Sequence, residues 1–220
     1  MISDRVPGTL AERLRQQIAD AIFTGAFPPG AHLDDKVLSQ KYETSRTPVR
    51  EALNQLAGQG LVHAHPRVGM TVAQLDPRER ISMLELTAEL EGVAARLAAR
   101  RMSAEARQQL QAIQLANQAH VDARDVDAYR KGNAAFHDAI YAGCANDLLV
   151  RHIRDLRRRL LMYRKDDVFS NPQRPGESHG EHGRICNAVL NGDGEEAQAA
   201  AVNHITSGGM RFVDMLMTSR

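Results

Sequence analysis

Two sets of residues in this 220-residue chain have side chains whose types and spacing could do chemistry. The first is the run Ser45-Arg46-Thr47-Pro48-Val49-Arg50-Glu51-Ala52-Leu53. Ser45 has the side chain of an N-cap, able to accept a bond from a first-turn N–H. Pro48 suits the first turn of a helix, where its missing N–H costs little. Val49, Ala52, Leu53 and Leu56 recur at three- and four-residue spacing and make one apolar face. Arg46, Thr47 and Arg50 lie off that face at the helix start, where they can meet base edges and phosphates. An ordinary amphipathic helix with solvated arginines would show the same spacing.

The second set is Asn133, His137, His182 and His204. Asn133 and His137 are four apart and so share a helix face. Three imidazoles and one amide oxygen, brought from three helices, are donors for a divalent ion, Zn²⁺ or Ni²⁺ by the nitrogen content. Spacing alone equally allows a hydrogen-bonded polar core. His179, three before His182, either lines the same cavity or lies in a loop.

Positioning these side chains requires particular elements. Thr9-Leu10-Ala11-Glu12 has capping-box form, and Leu10, Leu14, Ile18 and Ile22 form an apolar ladder for a first helix. Gly25 and Pro28-Pro29-Gly30 end it. Leu33, Val37, Leu38 and Tyr42 predict a short second helix, with a turn at Glu43-Thr44 before the third. Alternation over 61–65 and again over 70–72, around Pro66-Arg67-Val68-Gly69, predicts two strands of a β-wing. Arg67, near the wing tip, is placed to reach a minor groove or a phosphate.

From Pro77 onward the pattern is helical. Apolar periodicity predicts helices over 84–101, 103–120, 125–143, 146–163, 181–190 and 195–217, with a polar loop over 166–180 that contains Pro172, Pro175 and Gly176. The expected fold is mainly α. A winged helix-turn-helix domain over 1–76 precedes an antiparallel bundle of about six helices over 77–220.

Composition narrows the class. Hydrophobic residues make up 43% and charged residues 25%, as in a soluble globular protein. No apolar run approaches the ~20 residues needed to cross a bilayer, and the N-terminus lacks a secretory apolar segment. Cys144 and Cys186 form no C-x-x-C pair, so a reduced, cytoplasmic protein is expected. Residues 1–76 hold eight Lys/Arg and eight Asp/Glu, so bulk charge does not mark this half as a nucleic-acid binder. The positive charge is local: between Arg46 and Arg67 three arginines face one acid, Glu51.

Residues 9–75 resemble the DNA-binding domain of the GntR family of bacterial transcription regulators. The resemblance rests on Gly25, Pro29-Gly30, Leu33, Leu38, the run from Ser45 to Leu53, Leu56, Gly60-Leu61-Val62 and the wing glycine Gly69. Many relatives carry Leu-Gly-Val before the Ser-Arg pair, where this chain has Tyr42-Glu43-Thr44. The resemblance implies that Ser45, Arg46, Thr47 and Arg50 meet a double-stranded operator, with Lys36, Arg67 and Gly69 assisting.

Residues 77–220 resemble the helical FCD effector-binding domain of the FadR-type branch of that family. The matching pieces include Leu90-Glu91, Asn133-x-x-Phe136-His137, Gly143, Asn146, Glu181-His182, Gly192-Asp193 and His204-Ile205. The resemblance implies a metal held by Asn133, His137, His182 and His204, a small carboxylate effector and a homodimer. Many relatives have arginine where Thr87 stands, and Arg130, near Asn133, is a replacement cation alongside His179. Two rival functions share these features: a metal-dependent enzyme fused to a DNA-binding domain, and an architectural DNA-binding protein without effector. Against the enzyme, no carboxylate is spaced as an evident general base, and Glu181, adjacent to His182, is expected to point elsewhere.

Overall fold

The computed structural model describes residues 8–66, 69–161 and 171–218, with the backbone alone at 161 and 209–218. The chain divides into two compact units, one ending at Asp76 and the next beginning at Pro77. The fold is mainly helical, a winged helix-turn-helix followed by a helical bundle.

The first unit contains α1 (Leu10–Phe23), β1 (His32–Leu33), α2 (Asp35–Lys41), α3 (Arg46–Gly58), β2 (Val62–His65) and β3 (Gly69–Val72). Helix α1 opens with the expected capping box. The Glu12 amide donates to the Thr9 hydroxyl at 3.2 Å, and the Thr9 amide donates to the Glu12 carboxylate at 2.6 Å. Leu14, Ile18 and Ile22 pack against Val49, Leu53 and Leu56 in one core, whereas Leu10 is 43% exposed and lies outside it. Asp34 caps α2 by accepting from the amides of Lys36 and Val37.

Leu33 is not in the second helix as its spacing predicts. It lies in β1, a two-residue strand that pairs with β3 and buries Leu33 through His32↔Thr71 and Leu33↔Met70. Two residues are too few for alternation to show in sequence. The three-stranded antiparallel sheet runs β1-β3-β2, with β2 and β3 as the wing strands. Arg67 at the wing tip lies outside the described residues.

The second unit is α4 (Pro77–Arg101), α5 (Ala104–Asp122), α6 (Val126–Cys144), α7 (Asp147–Leu161), α8 (Arg174–Leu190) and α9 (Gly194–Thr218). Helix α8 begins seven residues before the expected start at 181, because Pro175 sits in its first turn, where proline is tolerated. His179 is therefore helical. Small residues let α4 and α9 pack closely: Ala94, Ala95 and Ala98 on one and Ala197, Ala200 and Ala201 on the other are buried. A Cβ added at Gly92 would come within 2.7 Å of Val202. This close approach brings Glu91 of α4 toward His204 of α9, both lining one small cavity with His137.

Candidate DNA-reading surface and candidate metal centre

In the first unit, α3 exposes Arg46, Thr47 and Arg50 at its N-terminal turn while Val49, Ala52, Leu53 and Leu56 are buried. Ser45 occupies the N-cap position with extended backbone, but its side chain makes no capping bond, contrary to the sequence expectation. Its hydroxyl is exposed at the same end of α3 as the arginines. Lys36 is exposed on the first turn of α2. Gly69 opens β3 with φ 101°, and a Cβ there would lie 3.0 Å from the His32 ring, so the wing root needs a glycine.

An acid lies among these cations. Asp35, on the first turn of α2, accepts a hydrogen bond from Arg50 Nε and lies 3.9 Å from Arg46 Nε. The turn before α3 is also unusual, since Glu43 has φ 50°, the left-handed region that favours glycine.

In the second unit, α6, α8 and α9 bring His137, His182 and His204 together. All three are buried, and their candidate ligand atoms lie within 4.8 Å of one another. His182 Nε2 and His204 Nε2 are 3.2 Å apart. Two nitrogens on one tetrahedral zinc would be about 3.3 Å apart, from Zn–N bonds of about 2.0–2.1 Å. His182 is stacked on Phe136, with ring centroids 4.1 Å apart.

Two carboxylates orient the rings. Glu91 Oε2 lies 3.2 Å from His137 Nδ1, and Glu181 Oε2 lies 2.6 Å from His204 Nδ1. A carboxylate at Nδ1 favours the proton there and leaves Nε2 with its lone pair, the tautomer a metal ligand needs. Each carboxylate is itself anchored. Arg157 Nη1 donates to Glu91 at 2.8 Å and to the Tyr141 hydroxyl at 2.7 Å. Arg174 donates through both terminal nitrogens to Glu181 at 3.0 and 2.9 Å, and Ser207 donates to it at 2.8 Å. The expectation that Glu181 points away from the site is wrong: one residue's rotation along α8 still leaves it within reach of His204 on α9.

These partners set the protonation states. Burial and the Arg157 charge push the His137 imidazole down to about 4, and burial with the neighbouring histidines holds His182 well below its ordinary 6.5. Burial works to raise Glu91, but Arg157 and then His137 outweigh it and hold the carboxyl at about 2. Glu181 is likewise held at about 2: burial opposes, while bonds from His204, Arg174 and Ser207 prevail. His137 and His182 are thus neutral imidazoles, and the carboxylates behind His137 and His204 are ionised. That donor set fits a divalent cation.

Other sequence-derived residues sit less centrally. Asn133 is half-buried one turn before His137 on α6. Arg130 is exposed and pairs with Asp127 at 2.7 Å. His179 is half-buried on α8 and contacts Gln114, whose amide donates to the His179 carbonyl at 3.0 Å. Arg157 and Arg174 have no place in the sequence reading, which takes Glu91 only as a piece of the family match and expects Glu181 to point away. Nothing in the sequence pattern pairs Arg157 with Glu91, 66 positions away.

Comparison with known proteins agrees with both halves. Residues 10–72 match the model of the bacterial regulatory proteins of the gntR family, and residues 82–207 match that of the FCD domain. The chain is 32% identical over 210 residues to the HTH-type transcriptional regulator LutR of Bacillus subtilis, covering 84% of this chain and 93% of LutR. It is 27% identical over 191 residues to the HTH-type transcriptional repressor GlaR of Escherichia coli, covering 84% and 87%. Among solved structures, E. coli McbR/YncC shares the fold with a TM-score of 0.71 at 23% identity, over 96% of this chain and 99% of that one. The relatives are named transcription regulators, and no helix among the described residues is long and apolar enough to cross a membrane. The chain belongs to the GntR family of DNA-binding transcription regulators, in the FadR-type branch that carries an FCD domain.

Proposed function

We propose that the protein is a cytoplasmic, ligand-responsive regulator, with residues 1–76 as DNA reader and residues 77–220 as effector-binding and dimerisation domain. Two readers in a homodimer occupy the halves of a palindromic operator, each placing α3 in the major groove. Arg46, Thr47 and Arg50 take the base edges, while Lys36, Ser45, Arg67 and Gly69 hold the backbone. In the bundle, His137, His182, His204 and the Asn133 carbonyl would hold one divalent ion, Zn²⁺ or Ni²⁺. Such an ion, when bound, supplies a Lewis-acidic position for a carboxylate effector. Asn133 is a neutral donor, which leaves the site more positive than an aspartate would.

The observation that carries this reading is the pairing of the outer nitrogens of two of the three imidazoles with anchored carboxylates, Glu91 on His137 and Glu181 on His204. The same pairing argues against catalysis. Both carboxylates are held near 2 by arginines and imidazoles, so neither is poised as a general base. Arg157, half-buried beside Glu91, is a cation one carboxylate away from the cluster, a better candidate for the effector than the solvent-facing Arg130. His179 lies one turn from His182 and faces α5 through Gln114.

The test is selection of duplexes from a random pool by the full-length protein, followed by affinity measurement. Enriched sequences should be palindromic, and Arg46→Ala and Arg50→Ala should each cost roughly 1–3 kcal/mol per half-site. Non-palindromic products with unchanged affinity in both variants would contradict α3 as the reader.

A further inference from the structure

We infer that Asp35 is a specificity-determining residue of the DNA-reading surface, holding the arginines of α3 in an end-on pose and taxing their contact with bare phosphate. The inference rests on α3 being the base-contacting helix.

Asp35 is itself firmly placed. It stands in the first turn of α2, a helix end where a carboxylate is favoured by the backbone dipole. Asp34 beside it caps the helix through two amides, so the turn that carries Asp35 is fixed. The Asp35 side chain is 22% exposed, against 51% for Arg46 and 65% for Arg50. The acid is the more enclosed member of each pair and the arginines are the more exposed.

Both arginines turn the same nitrogen toward it. Arg50 donates from Nε, and Arg46 Nε is the atom lying 3.9 Å away. The terminal nitrogens of each guanidinium are not part of either contact. A guanine edge offers two adjacent acceptors, O6 and N7, which the paired terminal nitrogens of an arginine can meet together. A phosphate can be met end-on as well, but an arginine with a free Nε has a second, side-on route to it through Nε and one terminal nitrogen, and that route is closed while Nε is engaged. Fixing Nε therefore favours the contact that carries sequence information over the one that does not.

Charge acts in the same direction. An exposed ion pair of this kind contributes little to folding stability, so the placement of Asp35 has its consequence in binding. Beside Arg46 and Arg50 it removes half of their summed charge and brings a carboxylate toward any phosphate that approaches. Non-specific affinity is almost entirely electrostatic, so it loses most from this acid.

The experiment compares wild type with Asp35→Asn, which keeps shape and removes the charge, on two probes: a random-sequence duplex pool, and the duplex that wild type enriches from that pool. Affinity is measured across a salt series, and Asp35→Glu serves as rescue. For Asp35→Asn, affinity for the random pool should rise about tenfold at low salt, with the salt dependence steeper by about one charge per protomer. Affinity for the enriched duplex should change less, so the specificity ratio falls about tenfold, and Asp35→Glu should restore most of it. An unchanged ratio in Asp35→Asn overturns the inference. Arg50→Ala distinguishes the two levels: if it weakens the enriched duplex while Asp35→Asn leaves the ratio alone, only the role of Asp35 fails. If Arg50→Ala changes nothing, the reading of α3 fails and the role of Asp35 with it.

Discussion

Glu181 and His204 are joined by a 2.6 Å contact between Oε2 and Nδ1, and the other nitrogen of that imidazole lies 3.2 Å from His182 Nε2. One carboxylate thus fixes which face of the ring looks into the histidine cluster. Arg174, buried on the first turn of α8, fixes the carboxylate in turn through both of its terminal nitrogens.

Replacing Glu181 by glutamine should leave the ring in place but weaken its orientation and basicity. Loss of such an outer partner typically lowers metal affinity 10–100-fold. Competition for Zn²⁺ against a chromogenic chelator should show a drop in that range, with the helical circular dichroism signal retained. Wild-type affinity in Glu181→Gln would mean that the contact does not position a ligand.

Glu43→Gly should stabilise the first unit. Glu43 holds φ 50°, where a Cβ crowds the following carbonyl at a cost of about 1–2 kcal/mol. Glycine removes that strain but adds unfolded-state freedom of about 0.4–1 kcal/mol, leaving a net gain between about 0 and 1.6 kcal/mol. Urea unfolding followed by circular dichroism measures it. A lower midpoint in Glu43→Gly would show that the turn is held by something other than backbone geometry.

Acid should destabilise the metal-free protein in two stages. His137 is held at about 4 in the fold against an ordinary 6.5, so the unfolded chain binds more protons between those values. His182, also depressed, adds to the same stage. Stability is therefore complete above about pH 6.5 and falls as pH drops toward 4. Glu91 and Glu181, at about 2 against an ordinary 4.5, extend the loss below 4.5 with the same sign. Thermal melts in chelator at pH 7.5, 5.5 and 4.5 should show a Tm that declines at each step, and His137→Gln should flatten the upper stage. A Tm that rises on acidification would contradict the buried neutral imidazoles.

The sequence made the long elements legible because each leaves a local signature, and the α3 face and the capping box at Thr9 follow from periodicity and residue type. Of the histidines only His137, four after Asn133, has a local spacing, and the choice of His182 and His204 among nine histidines rests on the family resemblance. What the sequence hid depends on tertiary pairing. Leu33 forms a strand only because β3 is beside it, and a two-residue strand has no period to detect. Helix α8 begins at Arg174 because Pro175 is compatible with a first turn, although a cluster of Pro and Gly in sequence reads as a loop. Glu91, Arg157 and Glu181 act through contacts between helices, Arg157 with Glu91 across 66 positions and His204 with Glu181 across 23. Asp35 meets Arg50 across a turn whose geometry is set by Glu43 in the left-handed region.

The measurement that bears most directly on the histidine cluster as a sensor is metal content of the full-length protein, wild type and His182→Ala, after reconstitution with Zn²⁺ or Ni²⁺ and removal of excess. His182 is fully buried and meets His204 at 3.2 Å, so its loss removes a central donor. One ion per chain is expected in wild type and almost none in His182→Ala, with binding to the enriched duplex retained in the variant because the reader is a separate unit. Equal, low metal content in the two proteins would contradict it and leave His137, His182 and His204 as a polar core.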